Sequence, residues 1–178
     1  MENKENKETK KNFKRNIEVK KNLLEEKVIS ISKVTKVTKG GRHFRFKADV
    51  AVRNRKGLVG LGTGRSNEVS EAIKKAIQAA NKNVVKVSLI DNRTIPHDQI
   101  SKVGRSVVLL KPAKEGRGII AGGAARAVLE LAGVKDIVAK SLGANTQINV
   151  AKATLNALIA QRTPEHIAEL RGKKVEEL

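Results

Sequence analysis

Strict alternation of apolar and polar residues follows the tetrapeptide Lys39-Gly40-Gly41-Arg42 and limits the folds open to this chain. Apolar side chains occupy every second position from Phe44 to Val52, and this period of two is the signature of a β-strand. We expect this face, with Phe44 and Phe46, to pack in a core. The opposite face would then be largely basic. Its residues are Arg45, Lys47, Asp49, Ala51 and Arg53.

The segment before this strand also has β character, which predicts a hairpin. Residues 23–38 are rich in β-branched side chains, and the apolar phase slips between Ile31 and Val34, which indicates a bulge. Gly40 and Gly41 tolerate the positive φ angles that tight turns require. The two strands would therefore run antiparallel, with a basic tip between them.

A third strand and a helix complete the first predicted domain. The strand begins at Leu58 and ends in Gly62-Thr63-Gly64. Over residues 67–81, apolar positions recur at i, i+3, i+4, i+7 and i+8, the single stripe of an amphipathic helix. Ser66 or Asn67 is a suitable cap for its start. We expect three antiparallel strands with this helix across one face.

The second half of the chain predicts a smaller α/β domain. Residues 84–89 lead into it with strand-like character, and residues 95–101 and 106–110 predict a strand pair. The continuous apolar run Val107-Val108-Leu109-Leu110 is typical of a buried central strand, which Pro112 would end. The elements expected after it are a helix over 124–132 that Gly133 ends, a strand over 134–142, a helix over 147–160 and a short helix opened by Thr163-Pro164.

The charge balance favours a polyanionic partner. Lys and Arg number 37 against 18 Asp and Glu, which gives a formal net charge of +19. Such a charge attracts nucleic acid first of all, and a basic soluble surface or an acidic membrane is the alternative. No apolar run approaches the ~20 residues of a membrane span, so none is expected. The chain has no Cys, hence no disulfide or thiolate metal site, and a cytoplasmic location fits.

The chain is poor in aromatic residues, which bears on how it would meet RNA. It has three Phe, no Tyr and no Trp. Proteins that read single-stranded RNA usually stack bases on exposed aromatic rings. Because Phe44 and Phe46 are expected in the core, we predict recognition of folded RNA through its backbone and shape.

Two further glycine-rich strings admit more than one interpretation. Gly60-Leu61-Gly62-Thr63-Gly64-Arg65 lacks the Lys-Ser/Thr pair of a nucleotide-binding loop, and we interpret it as a tight strand-to-helix turn with a phosphate contact from Arg65. Residues 116–121 satisfy the dinucleotide-binding pattern, with Asp136 further along the chain. Residues 111–115 separate this loop from the preceding strand, so we favour an RNA or protein contact. Close packing of a helix on a sheet is the structural alternative for its glycines.

No catalytic or metal-binding constellation stands out in the sequence. His43, His97 and His166 share no ligand spacing. We therefore expect no enzyme, no cofactor, no metal and no small-molecule substrate. Two rivals remain open, a nucleotide-dependent enzyme that acts through the Gly116 loop and a free-standing regulator that binds duplex RNA.

Five strings together resemble one family. They are Lys39-Gly40-Gly41-Arg42, Gly60-Leu61-Gly62-Thr63-Gly64, Glu115-Gly116-Arg117-Gly118-Ile119-Ile120-Ala121-Gly122-Gly123, Ala125-Arg126-Ala127-Val128-Leu129-Glu130 and Asn149-Val150-Ala151-Lys152-Ala153-Thr154. In this order and spacing, over residues 24–177, they closely resemble the bacterial small-subunit ribosomal protein five family. The resemblance implies an α+β chain with a double-stranded-RNA-binding-like domain over 23–89 and a two-layer α/β domain over 90–163. A disordered basic tail over 1–22 would precede them, and a short helix with a charged tail over 164–178 would follow.

The resemblance also implies a function and partners. The chain would be a structural constituent of the small ribosomal subunit that binds its ribosomal RNA, supports assembly and decoding accuracy, and lies beside ribosomal proteins four and eight near messenger RNA. Residues Thr38, Lys39, Gly40, Gly41 and Arg42 would form a loop near the spectinomycin site. The candidate RNA-binding residues are Lys36, Lys39, Gly40, Gly41, Arg42, His43, Arg45, Lys47, Arg53, Arg55, Lys56, Arg65, Lys111, Lys114, Arg117, Arg126 and Lys152.

Overall fold

The first sheet has four antiparallel strands, one more than predicted. The computed structural model describes residues 24–54, 58–91, 93–173 and 177, and the expected tail over 1–22 and the candidates Arg55 and Lys56 lie outside them. The order is β1 (Leu24–Thr38), β2 (Gly41–Asn54), β3 (Leu58–Ser66) and β4 (Val84–Lys86), with helix α1 (Val69–Lys82) on one face. The fourth strand exists because the residues after α1 fold back and pair with β3.

The bulge in β1 lies earlier than predicted. The register with β2 shifts between Val28 and Ser30, and not between Ile31 and Val34. The shift sets Ser30 opposite Asp49, whose carboxylate accepts a hydrogen bond of 2.8 Å from the Ser30 hydroxyl. We attribute the position of the bulge to this polar pair, which the apolar pattern does not reveal.

Glycines within β3 allow α1 to approach the sheet closely, so the predicted strand-to-helix turn at these glycines is wrong. They lie inside the strand and face buried alanines of the helix. The glycines are Gly60, Gly62 and Gly64, and the alanines are Ala72, Ala76 and Ala80. Side chains are absent here because the helix backbone takes their place.

Helix α1 begins later than predicted, and its cap differs. Glu68 is the N-cap residue and makes no side-chain capping bond, whereas Ser66 or Asn67 was expected. Ser66 still belongs to β3, where it pairs with Phe46. Its hydroxyl donates to the Glu71 carboxylate in the first turn of the helix, so it supports the helix start without capping it.

A second, mixed sheet follows in the order β5-β6-β8-β7. Its strands are β5 (Gln99–Val103), β6 (Ser106–Pro112), β7 (Ile119–Ile120) and β8 (Ile137–Ser141), and β7 pairs with β8 in parallel. Strand β6 lies inside the sheet and ends at Pro112, as predicted. Only one face of β6 is buried, however, because Val108 and Leu110 meet the helices while Val107 and Leu109 stay half-buried.

The helices of the second half begin and end close to their predicted limits. They are α2 (Gly123–Ala132), α3 (Gln147–Ile159) and α4 (Pro164–Arg171). Helix α2 ends at Gly133, whose φ of 81° lies in the left-handed region that favours glycine. The Thr163 hydroxyl caps α4 by accepting a bond of 3.4 Å from the backbone N–H of His166.

The two sheets share one apolar core at the base of the hairpin. Ala51, Val59 and Leu61 lie on the face of the first sheet away from α1, and they join the buried cluster formed with α2 and α3. Lys27 of β1 and Glu130 of α2 form an ion pair across this junction. The face that the sequence predicts to be open and basic is therefore covered along its lower half.

Candidate nucleic-acid interface

Beyond its last pair with β3, the hairpin continues as a two-stranded extension. Phe46 and Ser66 form that last pair. Residues 34–45 consequently have no third strand beside them, and we call this segment the ribbon. It turns at Lys39-Gly40, as the sequence predicts. The ribbon therefore carries the candidate loop away from the shared core and from the buried cluster between α1 and the first sheet.

The tip of the ribbon is open to solvent. Gly41 has a φ of 138°, a conformation that residues with a Cβ rarely adopt. A Cβ on Gly40 or Gly41 would meet no atom within 4 Å. Thr38 closes the turn by donating from Oγ1 to the Gly41 carbonyl oxygen at 3.1 Å. The backbone of the predicted loop is thus held in shape and remains accessible.

A concave region of about 570 Å³ opens on one face of the ribbon, and we call it the basic concavity. Lys36 and His43 pair across the two strands, so their side chains share this face, and Arg65 reaches it from β3. Within the part of the chain that the structure describes, no carboxylate lies within 4.0 Å of Lys36, Arg45 or Arg65. The residues that line the concavity are Val34, Thr35, Lys36, Thr38, His43, Arg45 and Arg65.

Asp49 marks the border between the basic concavity and the covered base of the hairpin. Its side chain is only 2% exposed and accepts hydrogen bonds from Thr63 at 2.7 Å, Ser30 at 2.8 Å and Lys47 at 3.1 Å. The charge of Lys47 is consequently compensated inside the protein. The predicted basic face is therefore not exposed along its whole length, because Asp49 and Ala51 are buried.

Arg53 is also engaged within the protein. It lies at the base of β2, where its guanidinium forms an ion pair of 3.6 Å with Glu25. The structure therefore separates Arg53 and Lys47, which have carboxylate partners, from the cations of the basic concavity. Lys39 and Arg42 are exposed at the tip.

The second glycine-rich loop is held by a buried carboxylate. Asp136 is 4% exposed, and its Oδ1 accepts a bond of 2.8 Å from the Gly118 backbone N–H. Arg93 approaches the same carboxylate at 3.5 Å. Gly116 and Gly118 have φ angles of 80° and 74°, so the loop needs glycine for its conformation.

The geometry of the loop matches neither close packing of a helix on the sheet nor a dinucleotide site. A Cβ on Gly116, Gly118, Gly122 or Gly123 would meet nothing within 4 Å, so close packing of a helix on the sheet is wrong as their explanation. The loop leads into strand β7, whereas a dinucleotide site requires a strand before the glycines and a helix directly after them. The Asp136 carboxylate instead accepts a hydrogen bond from the loop backbone at Gly118.

The cations around this loop divide into engaged and exposed groups. Arg126 donates to the Ile119 carbonyl oxygen at 2.8 Å, and Lys111 forms an ion pair of 3.3 Å with Asp98. Lys114, Arg117 and Lys152 are exposed, and none has a carboxylate within 4.0 Å among the described residues. Of the candidate RNA-binding residues in the second half, these three are therefore the cations without a partner among the described residues.

Two kinds of feature are absent from residues 24–54, 58–91, 93–173 and 177. No helix there is long and apolar enough to cross a membrane. In the same residues, no three His, Cys, Asp or Glu side chains gather as metal ligands would.

Phe44 does not lie where the sequence pattern predicts. It was expected in the core, but it is 49% exposed, whereas Phe46 packs half-buried against the cluster under α1. The reason is that β3 ends opposite Phe46, so Phe44 stands on the ribbon beyond the reach of the helix. The unequal lengths of the predicted second and third strands were the signal that could have revealed this.

Fold and surface together define a two-domain α+β protein with a cation-lined hairpin. Two family models match it, Ribosomal protein S5, N-terminal domain, over residues 24–88 and Ribosomal protein S5, C-terminal domain, over residues 101–171. The chain belongs to the ribosomal protein S5 family, which confirms the resemblance and the predicted fold class. It is thereby a structural constituent of the small ribosomal subunit, in a family with a non-enzymatic role.

Proposed function

We propose that this chain binds folded small-subunit ribosomal RNA through the basic concavity and the tip of the ribbon. The observation that carries the proposal is the set of cations without carboxylate partners on one concave face, Lys36, Arg45 and Arg65. Phosphate groups of RNA would supply the missing negative charge and release counterions on binding. The open backbone at Gly40 and Gly41 lets RNA come closer than a side chain would allow.

A second RNA contact in this proposal lies on the other domain. Lys114 and Arg117 stand on the loop that Asp136 holds, and Lys152 stands on α3. The engaged cations would contribute less, because contact with RNA would first require them to leave a protein partner; they are Lys47, Arg53, Lys111 and Arg126. We also propose that the first domain spans residues 23–89 and the second domain residues 90–163.

The position proposed for the chain follows the family resemblance. It would lie in the bacterial, cytoplasmic ribosome beside ribosomal proteins four and eight, close to where messenger RNA enters, with residues 38–42 near the spectinomycin site. Its influence on assembly and decoding accuracy would be indirect, since contacts that differ between two states of the subunit shift the balance between them. The exposed, conformationally fixed tip suits such a contact.

The proposal is tested by the salt dependence of RNA binding. The full chain and an Arg45→Gln/Arg65→Gln variant are titrated with labelled small-subunit ribosomal RNA at several salt concentrations. We expect the slope of log affinity against log salt to fall by about 0.7 to 0.9 for each phosphate contact removed. The matched control is Lys82→Gln/Lys86→Gln, which removes the same charge from exposed residues of α1 and β4. If this slope falls equally in the two variants, RNA is attracted by the net charge alone, and the proposal is contradicted.

A further inference from the structure

Phe44 is the only exposed Phe among the described residues, in a chain without Tyr or Trp. It stands on the ribbon opposite Thr35 and is 49% exposed. Because successive strand residues alternate between faces, its ring lies on the opposite face of the ribbon from His43 and Arg45. The basic concavity therefore does not include it, and the proposed contacts leave it without a role.

The surroundings of Phe44 combine apolar surface with uncompensated positive charge. The Lys33 ammonium lies 4.0 Å from the centroid of the ring, a cation–π contact. By strand register, Ile31, Val37 and Arg42 share this face, and Ile31 and Val37 are 48% and 71% exposed. Neither Lys33 nor Arg42 has a carboxylate within 4.0 Å in the described part of the chain.

We propose that Phe44 is a stacking platform for an unpaired base of the bound RNA, with Lys33 and Arg42 meeting the flanking phosphates. A nucleotide supplies both things that this face lacks, a flat π surface for the ring and negative charge for the cations. The inference rests on the proposed function, because the same polyanion would contact both faces of the ribbon. A protein partner fits less well, since it would need carboxylates placed beside an aromatic-binding surface.

The position of Phe44 supports stacking. Its backbone pairs with Thr35 in the β1–β2 ladder, which sets the face on which the side chain lies, and the Lys33 ammonium lies over the ring. Stacking on a placed aromatic ring is worth about 1–3 kcal/mol per base. We therefore expect Phe44→Leu, which keeps an apolar side chain without the ring, to lower the affinity for small-subunit ribosomal RNA about fivefold or more.

The absence of Trp from the chain provides a direct test. A Phe44→Trp variant carries one indole, whose fluorescence is quenched when a base stacks on it. The full-length variant is titrated with small-subunit ribosomal RNA and, separately, with a blunt RNA duplex that offers no unpaired base. We expect quenching by the ribosomal RNA and little quenching by the duplex.

The matched control is Phe46→Trp, two residues along the same strand face, where the side chain is half-buried against α1. Its emission should not respond to RNA.

If the unaltered chain binds with a steep salt dependence but the Phe44→Trp emission stays constant, the stacking proposal is wrong and the RNA-binding function stands. If the unaltered chain does not bind ribosomal RNA, the proposed function fails first. If the Phe44→Trp emission changes only when a neighbouring ribosomal protein is added, this face binds protein and not RNA, and the stacking proposal is wrong.

Discussion

Glycine serves opposite purposes in β3 and at the tip of the ribbon. In β3, a Cβ on Gly62 would lie 2.2 Å from the Ala76 carbonyl oxygen and 2.3 Å from the Ala80 backbone nitrogen. At the tip, a Cβ on Gly40 or Gly41 would meet no atom within 4 Å. The β3 glycines are required by the core, whereas the tip glycines leave a surface open. The same residue type thus marks folding in one region and a candidate contact in the other.

The glycines of β3 match the alanines of α1 because alternate residues of a strand and every fourth residue of a helix have nearly the same spacing. Alternate residues of a strand are about 6.7 Å apart, and residues four apart in a helix are separated by about 6.0 Å. Three glycines in β3 therefore stay in step with three alanines in α1, with Gly64 near Ala72 and Gly60 near Ala80. A side chain at any of these glycines would push the helix away from the sheet.

The largest effect is expected from Gly62→Ala. The added methyl group would collide with helix backbone atoms, which cannot move aside as a flexible side chain can. We expect a loss of about 3 kcal/mol or more in the free energy of unfolding, measured by urea denaturation. The same substitution at the tip, Gly40→Ala, should change stability by less than about 0.5 kcal/mol. Similar losses at both positions would remove the distinction between the two glycine groups.

A smaller effect is expected from Gly41→Ala, which separates backbone strain from collision. Space is free around Gly41, but its φ of 138° is unfavourable for any residue with a Cβ. We expect a loss of about 1 to 2 kcal/mol in the free energy of unfolding, between the values for Gly62→Ala and Gly40→Ala. Stability equal to that of Gly40→Ala would mean that the turn relaxes into another conformation, which amide chemical shifts around Thr38 would reveal.

Local patterns predicted most elements, because they depend on residues that are close in sequence. The period-two alternation gave β2, the apolar stripe gave α1, and Gly133 and Thr163 gave helix ends that the structure confirms. The predictions that were wrong concern features that depend on contacts between distant segments. Phe44 fits the core face of its strand, but its burial depends on where β3 stops.

The candidate site shows the same division. The sequence supplies the cations of the hairpin, but pairing with Asp49 and Glu25 distinguishes Lys47 and Arg53 from Arg45 and Arg65. Alternation already places Asp49 on the face of Lys47, but the pairing of Glu25 with Arg53 depends on the register of β1 and β2, which only the assembled sheet reveals. Proximity in three dimensions, and not residue type, therefore decides which cations remain available for RNA.

The glycine series of β3 ends at Ser66, where the structure has room for a side chain and the side chain makes a hydrogen bond. Its hydroxyl donates to Glu71, and this bond, followed by the ion pair of 2.9 Å with Lys75, lowers the pKa of Glu71 from its ordinary value of 4.5. A lowered pKa in the folded state means that the ionised carboxylate is favoured by folding. Its contribution to stability is therefore present above the unfolded pKa and is lost as pH falls through the folded pKa.

The smallest effect is expected from Ser66→Ala, which removes the hydroxyl at the position where the strand leaves the helix. The pKa of Glu71, followed by the NMR shift of its side-chain carboxyl carbon, should rise toward 4.5 and remain below it, because Lys75 still acts. Lys75→Gln serves as the control and should also raise the pKa of Glu71, because the Lys75 ammonium lowers it through a hydrogen bond and through its charge. An unchanged pKa in Ser66→Ala would mean that Ser66 only ends the glycine series and gives the helix start no support.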